Sequence, residues 1–201
     1  MTDFDAAAAT WDDDPARRER VAAIADGVRG AVPVTRHTRV LEYGAGTGAL
    51  GLALAPDVGS VTLADPSAGM VAVARERLAS AGLDPGRAWR LDLLLDPPPE
   101  ERFDLVVSAM ALHHVPDVPR LLRILHALLA PGGWIALADL DAEDGRFHDD
   151  PTFHGHNGFD RDELAASAAA AGFGNTAFTT PHVIRKAAGD FPVFLLTARR
   201  H

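Results

Sequence analysis

The strongest constraint on the fold is a glycine-rich stretch at residues 40–51, which reads Val-Leu-Glu-Tyr-Gly-Ala-Gly-Thr-Gly-Ala-Leu-Gly. An apolar run ends at one acid, Glu42, and glycines then occupy positions 44, 46 and 48. Glycine adopts positive φ angles without strain, and its missing Cβ lets the backbone approach a ligand closely. The stretch therefore predicts a strand, a tight turn and a helix that together bind a nucleotide-like cofactor.

Apolar runs typical of strands alternate with helical patterns along the rest of the chain. The predicted strands are 38–43, 60–65, 89–91, 103–108, 134–138, 176–184 and 191–198. No helical pattern separates the last two, so we expect them to pair in antiparallel fashion. The alternation predicts an α/β fold: a Rossmann-like, doubly wound sheet of seven strands, mostly parallel with an antiparallel last strand, and with helices on both faces.

Four polar residues mark predicted helix starts, because their side chains accept hydrogen bonds from the free amides of a first helical turn. They are Asp14, Ser67, Asp117 and Asp160. Pro15 directly follows the first of them, at the helical position that tolerates proline best.

The length of 201 residues suits one domain, which we place at 1–201. Within it, residues 1–35 are predicted to form an N-terminal helical cap. Residues 141–158 are polar, rich in Asp, His and Gly, and lack periodicity. Long loops inside compact domains are commonly functional, so 141–158 is predicted to be an active-site loop that covers the site together with the N-terminal helix.

Composition excludes several classes of function. The net charge is −9 and no run of basic residues forms a stripe, which argues against a nucleic-acid partner. There are no cysteines, so disulfides, thiolate metal sites and cysteine nucleophiles are excluded. No apolar run reaches the roughly 18 residues of a membrane span, and the acidic N-terminus lacks the pattern of a signal peptide. These features predict a cytoplasmic protein without a membrane partner.

The glycine spacing alone leaves two cofactor classes open. A Gly-x-Gly-x-x-Gly pattern runs from Gly46 to Gly51, and Asp65 lies 19 residues after Gly46. This spacing fits the fingerprint of proteins that bind NAD(P). The other unit begins at Glu42, an acid two residues before Gly44, and continues through Gly46 and Gly48.

Three features favour the second unit. Glu42 would repel a pyrophosphate but suits a cationic group such as a sulfonium or an amine. A second acid, Asp92, stands at another predicted strand end, where it can accept a hydrogen bond from an adenine amino group. The helical segment before the first strand and the terminal antiparallel pair also depart from a minimal dinucleotide-binding fold.

With these motifs in order, the chain resembles the class I S-adenosylmethionine-dependent methyltransferases over nearly its whole length. The matching stretches are 40–48, 65–70 with Ala74, 103–115 and 128–133. The resemblance implies an enzyme that uses S-adenosyl-L-methionine and releases S-adenosyl-L-homocysteine. It also implies a small-molecule acceptor that is methylated at an O, N or C atom.

The resemblance further implies the residues that bind the cofactor. Asp65 would bind both ribose hydroxyls, Met70 would pack on the adenine, and Asp92 would bind its N6 group. The full implied set is Glu42, Gly44, Ala45, Gly46, Gly48, Asp65, Pro66, Met70, Asp92, Leu93, Ser108 and Ala109.

Two adjacent histidines, His113 and His114, are the candidate catalytic residues, because histidine is the usual general base near neutral pH. A role in packing or loop hydrogen bonding is the alternative. The candidates for acceptor binding are Asp139, His154 and His156. No metal is predicted, because the acids and histidines of the 141–158 loop lack the His-x-x-x-His spacing of a helical metal site.

Two other functions remain open at this point. A nicotinamide-dependent oxidoreductase would need a catalytic group for hydride transfer. Tyr43 is the only tyrosine and no Tyr-x-x-x-Lys pair exists. A binding protein that keeps the cofactor pocket without transferase activity is the other possibility. The sequence leaves the oligomeric state open.

Overall fold

A computed structural model of the chain describes residues 3–148 and 153–201. Its strands are β1 (Arg39–Tyr43), β2 (Ser60–Asp65), β3 (Ala88–Arg90), β4 (Phe103–Ala109), β5 (Leu129–Leu140), β6 (Phe173–Lys186) and β7 (Gly189–Arg200). Its α-helices are α1 (Phe4–Ala7), α2 (Pro15–Ala31), α3 (Ala49–Leu54), α4 (Ala68–Ser80), α5 (Val118–Leu128) and α6 (Arg161–Ala170). None of the helices in the described ranges combines the length and the apolar composition needed to cross a membrane.

The strands form one seven-stranded sheet in the order β3-β2-β1-β4-β5-β7-β6. The pairs from β3 through β5 are parallel, whereas β7 runs antiparallel to both β5 and β6. The predicted fold class and its antiparallel last strand are thus confirmed. Strand order reverses between β1 and β4, and ligands of such sheets bind at the crevice outside these carboxyl ends.

The four predicted helix starts are confirmed by their hydrogen bonds. Asp14 accepts from the amide of Ala16, and Ser67 accepts from that of Met70. Asp117 and Asp160 likewise cap α5 and α6. Each side chain satisfies an amide that the helix itself cannot pair.

The core consists of two apolar layers, one on each face of the sheet. Successive strand residues alternate between the layers: Val40 and Leu41 of β1 lie on opposite faces, as do Leu105 and Val106 of β4. Helices α2, α3 and α4 pack on the first layer, and α5 and α6 pack on the second. Because both faces are covered, the carboxyl edge of the parallel strands is left for the functional site.

The structure differs from the sequence-based expectations at two places. Helix α1 was not predicted as a separate element, although it lies inside the predicted N-terminal cap. Strand β5 begins at Leu129, five residues before the predicted start at 134, and includes Pro131 and Gly132, residue types that commonly follow the end of a helix. The pairing with β4 shifts register between Phe103 and Leu105. The β5 residues opposite this shift thus form an irregularity in the pairing. Proline has no amide hydrogen to donate, and it is tolerated in a strand at such an irregularity.

Candidate functional site

A cavity of about 740 Å³ opens at the carboxyl ends of β1, β2 and β4. This volume lies within the range that is usual for small-molecule and cofactor sites. Its walls are the glycine-rich turn after β1, the residues after β2 and β4, and the N-terminal elements α1 and α2. The cavity therefore stands at the point where the strand order reverses.

The glycine-rich turn presents bare backbone to this cavity. Gly44, Gly46 and Gly48 have φ angles of 66°, 53° and 80°. A Cβ on Gly46 would lie 3.8 Å from both the Met70 sulfur and Trp11 Nε1, and so would occupy space in the cavity. Glycine is required at this position by its backbone angle, and its small size leaves room for a ligand.

Asp65, at the end of β2, ties the glycine turn to the next loop. Its Oδ2 accepts a hydrogen bond from the Gly46 amide at 2.8 Å, and its Oδ1 accepts from the Ser67 amide at 2.9 Å. Burial raises the pKa of this carboxyl, and the two amide bonds oppose that shift. Since each carboxylate oxygen can accept a second bond, Asp65 can also bind a vicinal diol.

Glu42 lies deeper at the end of β1 and is only 3% exposed. Its Oε2 accepts from the Gly51 amide at 2.7 Å, which fixes the first turn of α3. Burial raises the pKa of Glu42 to about 8, and the negative charge of Asp65 adds to the shift. The side chain is therefore protonated at neutral pH in the free protein, and a nearby cation would favour its ionised form.

Asp92 and Met70 also line the cavity. Asp92 Oδ1 accepts from the Leu94 amide at 2.9 Å, which is a turn bond, and the carboxylate retains further acceptor sites. Leu93 is buried behind them, where its amide donates to the Tyr43 hydroxyl at 3.3 Å.

His113 and Asp139 form a buried pair next to His114. His113 Nδ1 lies 2.7 Å from Asp139 Oδ1, and the His113 amide donates to Asp139 Oδ2 at 3.1 Å. Asp139, near the end of β5, is fully buried, and His113 is 3% exposed. Neither residue is part of the cavity lining. The pair holds the turn after β4 against β5.

His114, by contrast, lines the cavity. Its ring packs edge-on against Phe4, with ring centroids 5.2 Å apart. Burial, followed by the neighbouring His113, lowers the pKa of His114 to about 4. The imidazole that faces the cavity is therefore neutral at physiological pH.

Within the described part of the 141–158 loop, His156 contacts the same turn from outside the cavity. His156 donates its amide to the His113 carbonyl at 2.8 Å, and its Nε2 lies 3.0 Å from the Val115 carbonyl. Neither His154 nor His156 lines the cavity. Asp149 and Asp150 lie outside the described residues. In the ranges that the structure describes, no three acids or histidines are grouped so that they could hold a metal ion.

Of the twelve residues predicted to bind the cofactor, nine line the cavity: Glu42, Gly44, Ala45, Gly46, Asp65, Pro66, Met70, Asp92 and Ala109. The remaining three, Gly48, Leu93 and Ser108, are not part of its lining.

The lining also includes N-terminal residues that were not predicted individually. They are Asp3, Phe4, Asp5, Trp11, Asp12, Arg17, Arg20, Val21 and Ile24. A signal was available in α2, where Arg17 and Arg20 precede Ile24 and Val28 at helical spacing on one face. Arginines that continue an apolar stripe indicate a polar site at the end of the core.

A family model described as a methyltransferase domain matches residues 9–177. A curated relative, the 27-O-demethylrifamycin SV methyltransferase of Amycolatopsis mediterranei, is 34% identical over 133 residues. That match covers 64% of this chain and 48% of the relative. The chain thus spans about half the length of the curated relatives it matches.

Two solved structures share the fold. One is a chain solved in complex with the Haloferax volcanii Trm112 methyltransferase activator, with a TM-score of 0.79, 20% identity, and coverage of 100% of this chain and 99% of the other. The other is the N-methyltransferase NodS of Bradyrhizobium japonicum in complex with S-adenosyl-L-homocysteine. Its TM-score is 0.71, its identity is 21%, and the match covers 94% of this chain and 89% of NodS.

Proposed function

The chain belongs to the class I S-adenosylmethionine-dependent methyltransferase family, and on this premise we propose that it transfers a methyl group from S-adenosylmethionine to a small-molecule acceptor. The methylated atom is an O, N or C atom. The two methyltransferases named above differ in this respect, since one is named for an oxygen position and the other as an N-methyltransferase.

The observation that carries the proposal is the contact between Asp65 and the Gly46 amide. It places a buried carboxylate beside bare, positive-φ backbone in one cavity. A ligand with a ribose diol and an adjoining extended chain fits this arrangement. In our proposal the ribose binds at Asp65, the adenine lies between Met70 and Asp92, and the amino-acid portion follows the turn from Gly44 to Gly46.

When bound, the cofactor supplies an electrophilic methyl carbon. The chain contributes position, charge and exclusion of water. Glu42 fixes the glycine turn through Gly51, and its carboxyl can ionise next to a cationic ligand. Phe4 and Trp11 cover the cavity from the N-terminal side.

For the acceptor side we propose roles for the residues that the sequence singled out. In this role His114 contacts the acceptor, because its neutral ring lines the cavity. With a pKa of about 4 it is a weak base, so it accepts a proton only from an acceptor that methyl transfer has made strongly acidic. His113 and Asp139 position this ring through the turn they stabilise. A direct role of His154 and His156 would require the loop to move, because both lie outside the lining.

The oxidoreductase alternative finds less support. The only tyrosine of the chain, Tyr43, is 5% exposed and accepts a hydrogen bond from the Leu93 amide. Its pKa is raised to about 12, mainly by burial. A hydroxyl held in this way is poorly suited to donate a proton during hydride transfer. The cytoplasmic location and the absence of nucleic-acid and membrane partners stay predictions.

Calorimetric titration with S-adenosylmethionine, S-adenosylhomocysteine and NADH tests the cofactor. We expect both adenosyl compounds to bind and NADH not to bind; binding of NADH alone would overturn the proposal. Release of S-adenosylhomocysteine is then measured in the presence of phenols, amines and compounds with a nucleophilic carbon atom as acceptors. Binding without turnover on any acceptor class would favour a cofactor-binding protein over an enzyme.

A further inference from the structure

Met110, the first residue after β4, has a backbone φ angle of 55°, which lies in the left-handed region. Residues other than glycine rarely adopt this region, because it brings Cβ close to the following carbonyl oxygen. In the described residues, Asn175 is the one other residue besides glycines with a positive φ, at 53°. Asparagine tolerates such angles through local hydrogen bonds of its short side chain, whereas methionine has no comparable compensation. The conformation of Met110 is therefore imposed by its surroundings.

The surroundings of Met110 hold it from two sides. Its amide donates to the Ala138 carbonyl of β5 at 2.8 Å. The next residue, Ala111, packs so closely on the glycine-rich turn that a Cβ at Gly44 would collide with it. Strained backbone angles that are fixed by their neighbours cluster at ligand sites. The strain at Met110 thus indicates that this turn positions a side chain for function.

Met110 lies between the core and the cavity. It is partly buried, packs against the first apolar layer and is part of the cavity lining. Val21 and Ile24 of α2 lie in the same layer and also line the cavity. We call these three residues the apolar wall. The cofactor contacts proposed above use none of them, so the apolar wall is left for a second ligand.

The charges next to the apolar wall disfavour a cationic ligand. Arg17 and Arg20 also belong to α2 and line the cavity, and the Arg17 guanidinium is held by the Trp11 carbonyl at 2.6 Å. The imidazole of His114, with its lowered pKa, is neutral at physiological pH. The acids of the described lining are bonded to the cofactor-side loops, to Arg77 or to their own helix or turn; they are Asp3, Asp5, Asp12, Glu42, Asp65 and Asp92. An ammonium group at the apolar wall would therefore meet mainly like charges.

We propose that the apolar wall binds the methyl acceptor and that Met110 determines which acceptor fits. The inference rests on the proposed function, which places methyl transfer in this cavity. The acceptor is an uncharged compound with an apolar ring, and it carries a hydroxyl group or a nucleophilic carbon rather than an ammonium group. The unbranched thioether of methionine adapts to such rings, and its sulfur makes favourable contacts with aromatic ones.

Three substitutions of Met110 separate these contacts from the backbone strain. Met110→Leu keeps an apolar side chain, Met110→Gln keeps the length but adds a polar amide, and Met110→Gly removes both the side chain and the strain. Asn175→Gly is the control, because it relaxes a positive φ angle in β6, outside the cavity lining. Each protein is titrated with S-adenosylhomocysteine. The resulting complexes are titrated at neutral pH with 2-naphthol and with the cationic 2-(aminomethyl)naphthalene.

We expect wild type and all four variants to bind S-adenosylhomocysteine within about threefold of one another. The wild-type complex should bind 2-naphthol about tenfold more tightly than the cation. Met110→Gly and Met110→Gln should weaken the binding of 2-naphthol by about 10-fold, the loss expected when one apolar side chain no longer contacts the ligand. Met110→Leu and Asn175→Gly should stay within about threefold of wild type.

The proposal is overturned if Met110→Gly binds 2-naphthol as well as Asn175→Gly does, or if the wild-type complex prefers the cation. Should Met110→Gly fail to fold, Met110→Gln and Met110→Leu decide, because both keep a similar size and the same backbone angle. Equal affinity of these two variants for 2-naphthol would overturn the proposal. Equal losses of S-adenosylhomocysteine and 2-naphthol in Met110→Gln would show a structural role and do the same.

Failure of the proposed function has a different signature. In that case wild type does not bind S-adenosylhomocysteine, whatever its affinity for 2-naphthol. A wild type that binds S-adenosylhomocysteine but not 2-naphthol keeps the cofactor assignment and removes the proposed acceptor site at the apolar wall.

Discussion

The carboxylate of Asp65 accepts a hydrogen bond from the amide of Gly46 at 2.8 Å, across 19 residues of sequence. This contact joins the end of β2 to the turn after β1, and it holds the acid and the bare backbone at a fixed separation. The same carboxylate binds the Ser67 amide with its other oxygen. Asp65 therefore organises the loops as well as offering acceptors to a ligand.

Replacing Asp65 with alanine is expected to abolish measurable cofactor binding. The change removes both diol acceptors and releases the Gly46 amide, and two charged hydrogen bonds are together worth about 100-fold or more in affinity. The dissociation constant of S-adenosylhomocysteine, measured by calorimetry, reports the loss. Glu100→Gln, which removes an exposed negative charge, is the control. An Asp65→Ala protein that binds within threefold of this control would contradict the assignment.

Glu42 is expected to make the stability of the free protein depend on pH. In the unfolded chain this carboxyl ionises near its ordinary pKa of 4.5, whereas in the fold its pKa is about 8. Between these values the folded protein holds one more proton than the unfolded chain. Stability therefore falls as pH rises through this window, by at most about 1.4 kcal/mol per pH unit.

Glu42→Gln removes this proton while keeping an oxygen that can accept from Gly51. Urea unfolding at pH 5, 6.5 and 8 should show the variant gaining stability relative to wild type as the pH increases. Glu100→Gln serves again as the matched exposed control, and its difference from wild type should stay flat. A Glu42→Gln difference that is the same at all three pH values would mean that the buried carboxyl is already ionised.

The sheet and most of the cavity could be predicted because local chemistry determines them. Glycines 44, 46 and 48 adopt positive φ in the structure, as their alternation after an apolar run suggests. Asp14, Ser67, Asp117 and Asp160 cap helices because no tertiary contact is needed for an acid or serine to bind the amides of its own first turn.

Contacts between distant segments were harder to predict. The pairing of His113 with Asp139 depends on the register of β4 against β5, and the histidine pair alone does not reveal which ring faces the cavity. The position of Arg20 depends on how α2 packs against the sheet. The bulge in β5 likewise results from pairing with β4, which the helix-ending signal of Pro131 and Gly132 does not encode.

The two adjacent histidines are expected to respond differently to substitution. His114→Ala should lower kcat while leaving both S-adenosylhomocysteine affinity and the unfolding midpoint near wild type, because the ring lines the cavity. His113→Ala should destabilise the fold by about 3 kcal/mol, since it leaves the buried Asp139 carboxylate without its side-chain partner. Thermal unfolding and initial rates are measured on both variants.

The pH dependence supplies a second readout for the same pair. With a pKa of about 4, His114 stays neutral from pH 6 to 9. The pH profile of the wild-type rate should therefore contain no ionisation near pH 6.5 that belongs to His114. Any ionisation seen there should remain in His114→Ala. An ionisation that disappears in His114→Ala would contradict the lowered pKa of His114. A stability loss confined to His114→Ala would reverse the roles given to the two rings.

The N-terminal segment, residues 3–14, is attached to the cofactor side of the cavity by two acids. Asp12 Oδ2 accepts from Thr47 Oγ1 at 2.6 Å and from Nη1 of Arg77. Asp5 Oδ1 accepts from Ser67 Oγ and from the Gly69 amide at 2.8 Å. These bonds place Phe4 and Trp11 over the cavity, so the segment should slow the exit of a bound ligand.

Asp12→Ala is therefore expected to raise the dissociation rate of S-adenosylhomocysteine by about 5- to 10-fold. The contact is partly exposed, which limits its contribution to about 1 kcal/mol. Asp13→Ala is the control, because this neighbouring acid is exposed and uses only its backbone to contact the rest of the protein. Stopped-flow tryptophan fluorescence gives the rates. Arg77→Ala should produce a similar increase, and the double variant should add little to either single change, since Asp12, Arg77 and Thr47 form one hydrogen-bonded cluster. Fully additive effects in the double variant would show that Asp12 and Arg77 contribute independently, and that the segment is not held by this pair.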